Sequence, residues 1–392
     1  MGETVVIAAA ARTPFGSFGG ALRELTIPKL AAAAAGEALR RAEVSPTEVD
    51  ELVLGVNLPG SDRSLARQAQ LECGIPEERV SYTVDRACCS ALTAVSCARR
   101  DLLAGTAEIA VAGGAENLSL VPFFLPDMRW GRRLGEAHIA DQLVLACPYT
   151  HVARAVQASQ EAGRFGISRT EQDEWALRSQ QRAAAAGERL AEEIVAVGEL
   201  ARDESPRPAT TLEKLGSLRT VNGSETVTAG NAPGLSTGSA CTVLMRASTA
   251  AARGVRPLAS IRATAMVSGH PQHIASIPAV AAERVLAAAG VQLSDVMLIE
   301  VNEAFAVVPL VTSLLLAEAS GIDVEEVRER MNVNGGAIAL GHPTGATGAR
   351  LLLTLALELR RRGGGLGLVS MCGGIGEGEA MLIEVAADGQ AA

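Results

Sequence analysis

The sequence predicts an α/β protein made of two similar halves with an insertion between them. Short apolar runs alternate with helix-length segments towards both ends of the chain. A reactive residue recurs at the same place in each alternating stretch, and the alternation stops over residues 116–242. Residues 5–10, 51–56 and 108–112 are apolar runs bounded by glycine or polar residues, the pattern of strands buried on both faces. A further strand is expected over 80–84. Segments 28–42, 64–73 and 90–104 are rich in Ala, Leu and Arg and long enough for helices. Such alternation implies βαβ units and a mainly parallel sheet covered on both sides. Further along, the pattern predicts helices over 277–289, 304–320 and 345–361, and strands over 296–301, 366–371 and 380–385.

In 88–114 a cysteine opens a helix and the next strand ends in Gly-Gly. In 342–374 a histidine precedes a helix and the next strand ends in Cys-Gly-Gly. The likeness predicts a duplicated core with a site between its halves. The middle carries helical patterns at 137–146, 152–164 and 169–186, then a Pro-rich polar stretch (203–211) and a Gly-rich one (228–238). Ser168 and Glu171 form a capping box for the third of these helices. Long excursions from a rigid scaffold commonly bind ligand, so this middle reads as a domain covering the site. The expected division is 1–115 plus about 243–264 for the N-terminal half, 116–242 for the insertion and 265–392 for the C-terminal half.

Composition narrows the class. The 392 residues are 48% hydrophobic and 20% charged, as in an ordinary globular protein. A net charge of −9 offers no footprint for nucleic acid. Lys29 and Lys214 are the only lysines, which we attribute to coding bias. The seven cysteines (73, 88, 89, 97, 147, 241, 372) form no paired Cys-x-x-Cys arms. That spacing argues against a zinc site or a secreted disulfide framework and for reduced thiols in the cytoplasm. Neither a signal-peptide pattern nor an 18-residue uncharged apolar run appears, so no membrane span is expected. The glycine-rich stretches match no phosphate loop, which disfavours a nucleotide-dependent dehydrogenase or kinase.

Four residues carry candidate chemistry. Cys88, in Val-Asp-Arg-Ala-Cys-Cys-Ser-Ala-Leu (84–92), stands at a helix N-terminus, where aligned dipoles favour thiolate. Nucleophile and small buried cysteine are both open from position alone; Cys73, Cys97, Cys147 and Cys241 read as buried. His342 lies in Asn-Gly-Gly-Ala-Ile-Ala-Leu-Gly-His-Pro-Thr-Gly (334–345). Pro343 suits a first helical turn and Gly341 permits close backbone approach. A core histidine is the alternative, and the glycine density favours function. Cys372 enters Gly-Gly-Ile-Gly, either a turn aiming N–H groups at an oxyanion or an ordinary strand end. Asn302, taken alone, reads more readily as a cap for a helix starting near Glu303 than as an oxyanion donor.

Together with Ala-Ala-Ala-Arg-Thr-Pro-Phe-Gly (9–16), Val-Ala-Gly-Gly-Ala-Glu-Asn-Leu-Ser (111–119), Ser-Arg-Thr-Glu-Gln-Asp (168–173), Thr-Val-Thr-Ala-Gly-Asn (226–231) and Asn-Glu-Ala-Phe-Ala (302–306), these motifs resemble the thiolase family, the acetyl-CoA C-acyltransferases. The resemblance implies a five-layered αβαβα core, a loop domain that holds coenzyme A, and a homodimer or homotetramer. It implies that Cys88 takes the acyl group as a thioester, that His342 activates it, and that Cys372 exchanges a proton at the α-carbon of the second substrate. Asn302, through a water, and His342 would form one oxyanion hole, and the N–H groups of Cys88 and Gly374 the other. A Claisen condensation needs a covalent acyl donor and an enolate, hence two thiols and two oxyanion sites. Arg219, Ala232, Pro233 and Phe305 are the expected coenzyme A contacts. Acyl-CoA and coenzyme A are substrate and product, and no metal, redox cofactor, nucleic acid or membrane is expected.

The chain departs from the family pattern at Asp85 (usually Asn), Cys89 (Gly or Ala) and Ala91 (Gly). The loop motif Met-Gly-x-Thr-Ala-Glu-Asn is not recognisable, its nearest ungapped positions reading Ala158-Ser159-Gln160. Pro233 stands where a serine is usual, Ser236-Thr237-Gly238 replaces Asn-Asp-Gly, and Ile375 replaces a glycine. A shortened segment before Pro278 holds His270 and His273. Altered substrate-facing residues around intact catalytic ones point to an unusual acyl substrate or to weak activity with acetoacetyl-CoA. The rival readings are a β-ketoacyl-synthase-like condensing enzyme, which lacks a counterpart of Cys372, and a non-catalytic acyl-CoA-binding subunit.

Overall fold

The structure, a computed structural model describing residues 3–144 and 146–387, contains strands β1 (Val5–Arg12), β2 (Glu51–Gly55), β3 (Val80–Val84), β4 (Ile109–Asn117), β5 (Ser236–Arg246), β6 (Ala259–Ser268), β7 (Val296–Val301), β8 (Gly365–Cys372) and β9 (Glu377–Val385). Its longer helices are α1 (Ile27–Arg41), α2 (Leu65–Glu72), α3 (Ser90–Ala104), α4 (Arg154–Arg164), α5 (Arg169–Ala185), α6 (Ile277–Ala289), α7 (Val307–Ser320) and α8 (Thr347–Arg361).

The strands pair in the order β7-β8-β9-β6-β1-β5-β4-β2-β3. This order reads as two half-sheets: β1-β5-β4-β2 matches β6-β9-β8-β7. The halves join where residues 5–7 pair antiparallel with 259–261. Along the strands, alternate side chains serve different layers. Leu52, Leu54 and Val111 face α1 and α2, while Val53, Ala110 and Ala112 face the centre. The central layer is α3 against α8, with Leu92, Val95 and Leu102 meeting Leu352, Leu355 and Leu359 between both half-sheets. On the far face α6 and α7 (Val285, Val308, Val311) cover Leu368 and Leu382, together with Ala158, Ala162 and Trp175 of the insertion. The layers are therefore αβαβα.

The sheet is not mainly parallel. Only β2–β3, β2–β4 and β7–β8 are parallel; the other pairings are antiparallel. Most of the change comes from β5 and β6, neither read from the sequence, and β8 and β9, both read from it, also pair antiparallel. The first seven residues of β5 are small (Ser-Thr-Gly-Ser-Ala-Cys-Thr), and its first ten are buried, which erases alternation. No helix forms over the described residues of 137–146. There Ala140–Asp141 pairs with Phe123–Phe124, and Leu145 lies outside the described residues. The capping box at Ser168 and Glu171 is present, with both reciprocal bonds made. Among the described residues no helix is long and apolar enough to cross a membrane.

Candidate active site

The two helices of the central layer start from chain segments that meet at the junction of the halves. Before α3, Ala87 adopts a left-handed φ of +50°, and Cys89 is the N-cap. Cys88 thus hangs from the turn rather than from the helix. Before α8, Gly341 has φ +99°, and a side chain there would bring a Cβ to 2.5 Å from Ser236 Oγ. Only glycine meets both conditions. Ser236, the first residue of β5, accepts the His342 backbone N–H at 3.0 Å. Pro343 is not in the first helical turn: α8 begins at Thr347, and the Pro343 carbonyl instead accepts the Ala346 and Thr347 N–H groups.

His342 Nε2 lies 3.3 Å from Cys88 Sγ and 3.4 Å from Asn302 Nδ2. Its Nδ1 is 2.7 Å from Thr347 Oγ1, which itself donates to the Pro343 carbonyl at 3.0 Å. With its one hydrogen committed, the threonine hydroxyl can only accept, so Nδ1 carries the proton. Nε2 is then a free base facing the thiol. Asn302 caps no helix: α7 starts five residues later, at Val307. The carboxylate after it, Glu303, collects Trp175 Nε1, Ser179 Oγ, Asn332 Nδ2 and Ile338 N, pinning the insertion to the loop before His342.

Cys372 ends β8 nearly fully buried, and the following turn closes with Gly373 N donating to Glu377 O at 2.7 Å. This turn lies against the Cys88 turn. A Cβ on Gly373 would come 3.1 Å from the Arg86 carbonyl, and one on Gly374 would come 3.2 Å from Ala87 Cβ. Glu379 clamps the contact, accepting from Arg86 Nη1 at 2.9 Å, Ser96 Oγ at 2.8 Å and Thr93 Oγ1. Cys89 points into the central core, its thiol 3.8 Å from the Met371 carbonyl.

Burial decides the protonation states. It pushes the Cys88 thiol up to about 12, against a smaller lowering effect of Arg154. It raises Cys372 further, with Cys88 adding to the effect. Burial, then Arg350, lowers His342 to about 3. The thiolate expected from a helix dipole is therefore not the resting species, because loss of water on burial outweighs the dipole. Both thiols and the imidazole are neutral near pH 7.

A cavity of ≈ 550 Å³ opens beside this centre, lined by Ser17, Arg207, Lys214, Leu218, Ala232 and Leu235 among others. Leu235 bridges to His342, which connects the cavity to the thiols. Ala232 lines it, and Pro233 stands between two lining residues. Arg219 is exposed just beyond Leu218, whereas Phe305 packs against the C-terminal core instead. Sequence reasoning passed over Arg207 and Lys214, the cations on this cavity, and dismissed Lys214 as coding bias. It also passed over Glu116, which holds Asn57 N, Leu58 N, Thr344 Oγ1 and Gly345 N. The signal was present, since Glu116 lies inside the 111–119 motif.

Residues 5–248 match the thiolase N-terminal domain and residues 255–385 the thiolase C-terminal domain. The chain is 41% identical to the acetyl-CoA acetyltransferase of Escherichia coli over 97% of this chain and 99% of that one. Its relative in Cupriavidus necator, also an acetyl-CoA acetyltransferase, is 40% identical over 97% and 99%. Among solved structures, the Bacillus anthracis acetyl-CoA acetyltransferase superposes with a TM-score of 0.91 at 39% identity, covering 97% of this chain and 98% of that one. Human mitochondrial 3-ketoacyl-CoA thiolase in complex with CoA does so at 0.92 and 36%, covering 98% of each. Sequence motifs, layer order and these likenesses agree that the chain belongs to the thiolase family.

Proposed function

We propose that this protein is an acyl-CoA C-acyltransferase that makes or breaks the carbon–carbon bond of a 3-ketoacyl-CoA through an acyl thioester on Cys88. The observation that carries the reading is the free Nε2 of His342, 3.3 Å from Cys88 Sγ, with its tautomer fixed by Thr347. A neutral thiol becomes a nucleophile when a positioned base takes its proton during attack.

In thiolysis Cys88 passes its proton to His342 and its sulfur bonds to the keto carbon. The oxyanion on that carbon faces the N–H groups of Cys88 and Gly374. The C2–C3 bond then breaks with its electron pair left on C2, and the enolate oxygen of the departing acetyl unit is met by the newly formed Nε2–H with Asn302. Cys372 protonates C2, and acetyl-CoA leaves. The thiol of coenzyme A gives its proton to Cys372 and attacks the thioester, whose carbonyl faces the N–H groups of Cys88 and Gly374. Cys88 departs with the proton held on His342. Condensation is the same path reversed. A β-ketoacyl synthase has no need of a second thiol, so Cys372 favours the thiolase reaction.

Coenzyme A would lie in the cavity, its phosphates near Arg207 and Lys214 and its pantetheine passing Ala232 and Pro233 towards His342; Arg219 stands at the rim. Phe305 is proposed only as packing behind this wall. Neither a metal nor a redox cofactor has a task in these steps. We take residues 1–115 with β5 as the N-terminal half, the stretch between them as the coenzyme A domain and β6 onwards as the C-terminal half. The exposed apolar side chains Phe123, Trp130, Leu134, Ile139 and Tyr149 support self-association as a homodimer or homotetramer. A cytoplasmic location fits the reduced thiols.

Incubation with radiolabelled acetyl-CoA should label Cys88 stoichiometrically, and Cys88→Ala should abolish both label and thiolysis. An unlabelled wild type, or an active Cys88→Ala, would show that Cys88 does not carry the acyl group.

A further inference from the structure

The proposed reaction leaves one charged group at the centre without a task. Arg154 is the first residue of α4, and a Cβ on Gly374 would lie 3.1 Å from its Nη2. Its charge reaches both Cys88 and Cys372. Nη1 donates to Gln157 Oε1 at 2.9 Å, and among the described residues Arg154 has no ion-pair partner. The other arginines around the site are matched: Arg12 by Glu193 and Asp203, Arg86 by Glu377 and Glu379, Arg350 by Glu300.

The carboxylates whose charge is felt at the two thiols are engaged elsewhere. Glu161 accepts the N–H groups of Ile274, Ala275 and Ser276, Glu116 holds the loops around Thr344, and Asp85 accepts Ala87 N. A guanidinium offers five N–H donors in a planar fork that fits a carboxylate, and only one contact here is taken. A purely hydrocarbon acyl chain would strip water from this cation and return no partner, which is costly.

We infer that Arg154 binds a carboxylate borne by the acyl group. The substrates then include 3-ketoacyl-CoA thioesters whose chain ends in a carboxylate, and the intermediate on Cys88 is an ω-carboxyacyl thioester. This rests on the thiolase reading above; bond making and proton transfers are unchanged, with the carboxylate held ionised throughout.

The test compares thiolysis of 3-oxohexanedioyl-CoA with 3-oxohexanoyl-CoA, which ends in a methyl group in place of the carboxylate. Wild type should favour the former in kcat/KM by roughly 10- to 100-fold, the range of a charge-assisted hydrogen-bonded pair. Arg154→Gln should bring the ratio of the two values to about one or below, and Arg154→Lys should keep part of it. A wild-type ratio near one overturns the inference. So does an Arg154→Gln that slows both substrates equally, since the cation would then serve the thiols or the oxyanion. Silence towards both substrates with Cys88 unlabelled overturns the thiolase reading itself, and this inference with it.

Discussion

Both halves place a Gly-Gly pair in or directly after the strand that follows the central helix, and they use it for opposite ends. In the N-terminal half Gly113 and Gly114 lie inside β4, where a side chain would run into the carbonyls of Ala240 and Gly345. The strand continues past them to Glu116 and Asn117, which tie down neighbouring loops. In the C-terminal half β8 stops at Cys372, and Gly373 and Gly374 form the turn that faces Cys88. One copy of the duplicated unit has spent its glycines on close packing, the other on an open backbone beside a thiol. Duplication supplied a scaffold twice, and chemistry needed each half to supply a different part.

The largest effect should come from the packed copy. Gly114→Ala forces backbone apart at the junction of the halves and should cost at least about 3 kcal/mol, read as lost soluble protein or a sharply lower Tm. A stable Gly114→Ala protein would mean that the glycine pairs are not divided in this way. On the open copy, Cys372→Ala should still accept acetyl from acetyl-CoA at Cys88, seen by intact mass, while turnover falls at least about 10³-fold. Failure to acylate would place Cys372 in the first step rather than the second. Gly374→Ala keeps the N–H but presses on Ala87 and on Arg154, whose Nη2 would be 3.1 Å from the new Cβ. It should lower kcat by about 10-fold through misplacement of the oxyanion donors, at unchanged Tm.

The same contrast explains what the sequence disclosed. Motifs around His342 and Cys372 were visible because glycines must flank residues that the backbone approaches closely, whereas those around Cys88 and Asn302 hold no glycine and were visible through the family resemblance. Helix α3 and strands β3 and β7 were legible to the residue, since polar or glycine punctuation bounds each of them. Strand β5 was hidden because small residues packed on both faces carry no period. The resting charge of Cys88 was also hidden. It depends on how much protein surrounds the thiol, which no local pattern states. Arg154 was passed over because only folding brings α4 to the turn after β8.

The smallest effect, and the finest test of how the two halves cooperate, lies at Thr347. Its hydroxyl only orients His342, so Thr347→Val should lower kcat by about 10-fold, the worth of one neutral hydrogen bond, with KM unchanged and Thr347→Ser restoring the rate. Burial sets the protonation state of the imidazole. His342 titrates near 3 in the fold and near its ordinary value of about 6.5 when unfolded. Below that value the unfolded chain binds a proton that the native state refuses. The stability contributed by a neutral His342 is therefore complete above about pH 6.5 and declines as pH falls towards 3. Urea unfolding at pH 7.5 and pH 5 should show a larger acid loss for wild type than for His342→Gln. The rate of Cys88 acylation should meanwhile cross pH 6.5 without an inflection. An inflection there would mean that the imidazole titrates near its ordinary value and is not held neutral by burial.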